Sequence, residues 1–257
     1  MTAGDPEDEL PRMTFLEHLE ELRARLVVSV VAIAGGFLIS WMKAKEIFQI
    51  LQKPVLSALP PGTKLAYTQL TEPFMLYVNL ALITGIFVAS PVLLWQIWLF
   101  VAPGLYKREK RWVGPFVVIS VLFFVGGGFF GYAVGFPMVT KFLVSTGTDF
   151  TPVLKIDDYL DLVAKVLLGM GIVFETPIFI FFLARTGVVT EKWLLQKFRY
   201  AVLVIFVIAA LITPTPDIPT QCAFALPMCA LYLLGVFMAW AFGKKKPKGE
   251  SGKGAAA

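Results

Sequence analysis

The sequence predicts an all-α integral membrane protein of six transmembrane helices with both termini on the cytoplasmic side. Three observations carry that prediction. Apolar residues make up 57% of the 257-residue chain, with a mean hydropathy of +0.74. They fall into six stretches, most long enough to supply the roughly 20 apolar helical residues that cross about 30 Å of hydrocarbon. The Lys and Arg residues gather on alternate loops. A backbone in lipid must satisfy its own hydrogen bonds, so the stretches are read as helices.

In chain order the spans are Leu26–Met42, Phe74–Val101, Trp112–Thr140, Tyr159–Ala184, Ala201–Ile212 and Ile218–Phe242. The N-terminal segment carries Arg12, Arg23 and Arg25. The loop after the second span carries Lys107, Arg108, Lys110 and Arg111, and the loop after the fourth carries Arg185, Lys192, Lys197 and Arg199. With the tail lysines these are sixteen of the 23 basic residues; six lie on the opposite loops and Lys165 lies inside a span. The basic side is the cytoplasmic one. The net charge of +5 thus suits anionic lipid, and no interleaved basic and aromatic surface suggests nucleic acid. The first residues are acidic (Asp5, Glu7, Asp8, Glu9), unlike a secretory leader.

The fifth stretch supplies only about 18 Å of helix before Thr213-Pro214-Thr215-Pro216-Asp217 stops it. A short helix in a locally thinned bilayer reconciles it with the charge rule. Residues 1–242 are read as one six-helix membrane domain and 243–257 as a disordered cytoplasmic tail. Between the first two spans, residues 43–73 form a loop punctuated by Pro54, Pro60, Pro61, Gly62 and Pro73. Residues 142–158 form a second, polar loop.

Ahead of the first span, residues 13–25 read as an amphipathic helix. Thr14 and Glu17 make a capping box, and Phe15, Leu19, Leu22 and Leu26 recur at helical spacing. Its polar face is a plain solvated face with Glu21 and Arg25 paired at i,i+4, or a recognition surface. Glu109 is the lone acid among the cations of the second loop, where local charge neutralisation is the simpler reading. Within the fourth span, Glu175 in Phe174-Glu175-Thr176-Pro177 has no basic neighbour one turn away. A charge at that depth is costly and marks function. Gly127, Gly131 and Gly135 form a small-residue run suited to close helix packing within the chain. Cys222 and Cys229 read as small apolar residues. No paired nucleophile and base, no Walker loop and no metal-ligand set is visible, so no catalytic residue, metal or cofactor is expected.

Five of these segments, in order, resemble the TatC family, the multispanning receptor subunit of the twin-arginine protein translocase. They are Phe15 to Arg25, Leu70-Thr71-Glu72-Pro73-Phe74, Phe100 to Arg111, Phe174 to Pro177 and Thr213 to Asp217. The resemblance spans about residues 13–242. It implies a signal-peptide receptor that binds leaders carrying an Arg-Arg pair on folded cargo, with Glu21, Glu109, Phe100 and Arg23 at the peptide site. It implies that Glu175 faces a concave membrane surface and recruits single-span TatA- and TatB-type partners. Short fifth and sixth spans would thin the bilayer there. Pro54, Glu72, Pro73 and Asp217 match structural positions of the loops. Further implications are export driven by the proton-motive force, additional copies of the chain in the complex, a bacterial cytoplasmic membrane location and no enzymatic activity. Read without the resemblance, the alternative is a proton-coupled small-solute transporter using Glu175.

Overall fold

The computed structural model describes residues 15–57, 59, 62, 64–101, 113–147, 153–213 and 217–243. The helices are α1 (Phe15–Trp41), α2 (Ala44–Leu51), α3 (Lys53–Leu56), α4 (Glu72–Val101), α5 (Val113–Phe130), α6 (Phe136–Thr146), α7 (Ile156–Phe174), α8 (Thr176–Thr186), α9 (Glu191–Gln196), α10 (Phe198–Ile212) and α11 (Ile218–Phe242). A π-helical turn, Gly131–Gly135, joins α5 to α6. Among the described residues, five helical runs are long and apolar enough to cross a membrane, and α10 is a shorter apolar helix.

The amphipathic N-terminal segment is not a separate helix. It runs unbroken into the first span as α1, because no Pro or Gly interrupts residues 15–34. Thr14, the expected cap, lies outside the described residues. α1 packs along α4 at a point where backbones touch: a Cβ on Gly36 would sit 2.3 Å from the Gly85 carbonyl oxygen. The rest of α1 (Val27, Val30, Val31, Leu38) is exposed and apolar, as lipid contact requires. Gly36→Val is therefore expected to push α1 off α4 at a cost of about 1–3 kcal/mol, read as a lower Tm in detergent. Gly35→Ala is the silent control, since its Cβ meets nothing within 4 Å.

The third and fourth spans make the centre. Tyr159, Val163, Val166 and Met170 on α7 are fully buried, at spacings that share one helix face. The Gly run faces them. Added Cβ atoms would meet the Met170 oxygen from Gly127 and the Val166 oxygen from Gly131, while Gly135 abuts Val166 and Phe224. The run serves packing within the chain, as its spacing predicts. The Pro137 ring cannot fit against a regular preceding turn, and the π turn lies directly before it.

Aromatic contacts align the ends. At one end Trp98, Phe116, Phe181 and Phe242 form a chain with centroids 5.7, 5.1 and 5.7 Å apart. This end collects the start of α1, the end of α4, the start of α5 and the ends of α8 and α11, and it carries Arg23, Arg25 and Arg185. At the opposite end Phe48 meets Tyr77 and Tyr159, and the Tyr132 hydroxyl donates to the Ile50 carbonyl at 3.1 Å. The loop expected at 43–73 contains α2 and α3, with Pro54 in the first turn of α3. It is tied to the second loop by Ala66 N–H to Leu154 O (2.9 Å) and Ile156 N–H to Ala66 O (3.0 Å).

Glu72 opens α4 and is buried; its Oε1 accepts from the Thr68 N–H (3.1 Å), the Thr68 hydroxyl (2.6 Å) and the Gln69 N–H (2.9 Å). Pro73 follows in the first turn, where no intrahelical donor is missed. Asp217 caps α11 by accepting from the Thr220 N–H at 2.7 Å. The expectation of two short final spans holds for α10 alone, at 15 residues. α11 runs 25 residues because the Asp217 cap starts it cleanly and Pro227 interrupts it without ending it. α10 runs antiparallel to α11: Phe198 packs on Tyr232, and Gln221 donates to the Phe206 carbonyl at 2.8 Å. The Tyr232 hydroxyl reaches the Leu194 carbonyl of α9 at 2.9 Å. That seats α9 about 15 Å, at 1.5 Å per residue, inside the α11 end.

Candidate functional site

Two places gather the residues that the sequence singled out. The first lies where α1 begins and α4 ends. His18 stacks on Phe100 with centroids 4.5 Å apart. One turn further along α1, Glu21 faces the same helix and is held by Arg25. The Arg25 Nε donates to Glu21 Oε1 at 2.9 Å, and Nη2 donates to the same oxygen. Nη1 donates to the Gln96 side-chain oxygen on α4 at 3.2 Å. The Glu21 side chain is 17% exposed and that of Arg25 23%. Glu21 Oε2 is buried with no partner among the described residues. A half-buried carboxylate with one unpartnered oxygen is an acceptor for a second donor, and a guanidinium suits it best.

Arg23 is exposed on the opposite side of α1 from Phe100. Glu109 and the cations Lys107, Arg108 and Arg111 lie outside the described residues. Phe100 and Glu21, distant in sequence, are thus brought to one helix pair. Arg25 was expected to hold the carboxylate, whereas the contributions of His18 and Gln96 were not read from the sequence. Gln96, with Asn79 one of two amides in a mostly apolar span, was the available signal.

The second place is a cavity of about 390 Å³ bounded by α4, α5, α7 and α8. Its walls are apolar (Ile86, Leu93, Ile97, Phe124, Ile172, Phe179), with Glu175 and Ser90 among them. Glu175 sits at the break between α7 and α8, where Pro177 has no N–H to continue the ladder. Its carbonyl instead accepts from Ile178 (3.1 Å) and Phe179 (2.9 Å).

The carboxylate has a polar neighbour on another span, the fully buried Ser120 of α5. The Ser120 oxygen in turn accepts the Trp98 indole N–H at 2.8 Å. Stacking on Phe116 and an edge contact to Phe182 fix the indole. Glu175 Oε1 is buried without a partner among the described residues. One donor short, the carboxyl keeps a buried, unmet hydrogen-bonding oxygen at the edge of the cavity. Glu175 was legible from sequence; Ser120 and Trp98 were not, since neither charge nor spacing marks them. The Asp161–Lys165 pair, 3.8 Å apart and exposed, is peripheral.

Comparison with known proteins shows what the whole chain is similar to. Residues 17–227 match the family model described as Sec-independent protein translocase protein (TatC). The chain is 48% identical over 237 residues to the Sec-independent protein translocase protein TatC of Koribacter versatilis (strain Ellin345), covering 91% of this chain and 88% of that one. It is 37% identical over 237 residues to the protein of the same name from Aquifex aeolicus (strain VF5), covering 91% and 98%. Among solved structures, the crystal structure of the twin arginine translocase receptor TatC aligns with a TM-score of 0.77 at 37% identity, over 88% of this chain and 99% of that one. The same receptor crystallised in DDM aligns with a TM-score of 0.79 at 38% identity, over 89% and 100%.

Proposed function

The chain belongs to the TatC family of Sec-independent protein translocase proteins, and from that premise we propose that it is the receptor subunit that binds Arg-Arg leader segments of folded cargo. The relatives are named as translocase components, a transport role. The observation that supports the leader-binding step is the half-buried Glu21 carboxylate, one turn along α1 from the His18–Phe100 stack, with one oxygen unpartnered among the described residues. Charge-assisted bonds from a planar guanidinium fork match two carboxylate oxygens, whereas an ammonium offers a point charge. Glu109 adds a second acid nine residues beyond Phe100 in the sequence.

In this reading the basic end faces the cytoplasm by the charge rule, both termini lie there, and the chain resides in the bacterial cytoplasmic membrane. Residues 1–242 work as one membrane domain. The Glu175 cavity receives the single-span TatA- and TatB-type subunits, a polar group on the incoming helix meeting the unpaired Glu175 oxygen. The short α10 thins the bilayer on that side. Transport draws on the proton-motive force, and several copies of the chain work together.

The experiment is co-purification from membranes with a leader peptide carrying the Arg-Arg pair, against the same peptide with Lys-Lys. Retention of the arginine form alone is expected. Equal retention would overturn the assignment.

A further inference from the structure

Glu21 is not an open carboxylate. Arg25 directs both Nε and Nη2 to a single oxygen, Oε1, and anchors its remaining arm on Gln96 of the neighbouring helix. We infer that Arg25 is a resident competitor for Glu21, a guanidinium that the leader's arginine must displace, and that it thereby holds leader affinity down. The inference rests on the reading of Glu21 as a leader contact.

The grip is lopsided. Two donors share Oε1 while the buried Oε2 goes without a partner among the described residues. A visiting guanidinium approaching both oxygens makes two parallel bonds, so it improves on what Arg25 supplies. A lysine ammonium is a compact point charge with no planar fork. It cannot return to the carboxylate the two-donor contact that Arg25 gives up. Arg25 also has somewhere to go. Gln96 lies one turn before Phe100 on α4 and already accepts Nη1 at 3.2 Å, so a displaced Arg25 keeps an acceptor and stays in the site.

Arg25 lowers affinity and leaves the arginine preference to Glu21. It must be displaced, and it repels an arriving cation, whether that cation is arginine or lysine, so the cost is the same for both. Bond geometry at the Glu21 carboxylate distinguishes them. A resident guanidinium of this kind weakens every leader by a common factor.

The test compares the affinities of two leader peptides, identical except for Arg-Arg or Lys-Lys, for the full chain in nanodiscs. The variants are Arg25→Gln, Arg25→Lys and Glu21→Gln, each first checked for wild-type Tm. In Arg25→Gln both peptides should gain about tenfold with their ratio unchanged. Arg25→Lys keeps the charge but loses the fork, so a smaller gain of about threefold there separates release of the carboxylate from loss of repulsion. Unchanged Arg-Arg affinity in Arg25→Lys, while Glu21→Gln still weakens that peptide, overturns the role of Arg25 and leaves the receptor reading intact. Loss of Arg-Arg binding in Arg25→Gln also overturns it, since Arg25 would then only orient Glu21. Unaltered Arg-Arg binding in Glu21→Gln overturns both.

Discussion

Glu21→Ala lowers the affinity of an Arg-Arg leader by roughly 30- to 150-fold, corresponding to about 2–3 kcal/mol, the cost of truncating one partner of a desolvated, charge-assisted pair. Two effects add. The leader loses its carboxylate, and Arg25, tied to Gln96 at 3.2 Å, remains as an unbalanced cation. The variant should still insert and fold, because Glu21 and Arg25 lie near the start of α1, away from the α7 core. Peptide affinity in nanodiscs measures the first effect, and Tm verifies the second. Glu109→Ala should weaken the same peptide. Unchanged affinity in both variants would remove the acidic site from the account.

Glu175→Ala has the opposite profile. Leader affinity stays at wild type, because the cavity lies along α4 from the His18–Phe100 contact and shares none of its side chains. Export of folded cargo falls by roughly tenfold or more, and co-isolation of single-span partners falls with it. One interhelical polar contact in lipid contributes about 1–2 kcal/mol, enough to shift assembly that far. Removing Glu175 also leaves the Ser120 hydroxyl without that acceptor, with its oxygen still taking the Trp98 N–H. Export assays with leader crosslinking in parallel separate the two steps. Normal export by Glu175→Ala would dismiss the cavity from the mechanism.

The elements that the sequence made legible share one property: each is dictated along the chain. Ile218–Phe242 agrees with α11 to the residue, because Asp217 caps one end and Gly243 closes the other. Pro177 foretold the break at Glu175. The Gly127, Gly131 and Gly135 run announced its own packing. What stayed hidden depends on which helix lies next to which. Gly36, next to Gly35, and Gly85 are plain glycines in apolar helices until α1 and α4 meet. Arg25 looks like half of an ordinary i,i+4 pair, and only Gln96, from another span, makes it a three-point clamp. Ser120 and Trp98 carry no charge and lie in apolar runs, so nothing in the pattern ties them to Glu175. The two helices α2 and α3 also escaped, because proline punctuation around them reads as turns.

The central claim is a location: an Arg-Arg leader docks where α1 begins and α4 ends. Photo-crosslinking tests it most directly, with a leader peptide carrying a photoreactive side chain next to its arginines and the full chain in membranes. The account predicts crosslinks to residues 16–25 and to the segment from Gln96 onward through Glu109, abolished by excess Arg-Arg peptide and untouched by excess Lys-Lys peptide. Crosslinks that map instead to the opposite end, around α2, α3 and Glu72, would contradict it.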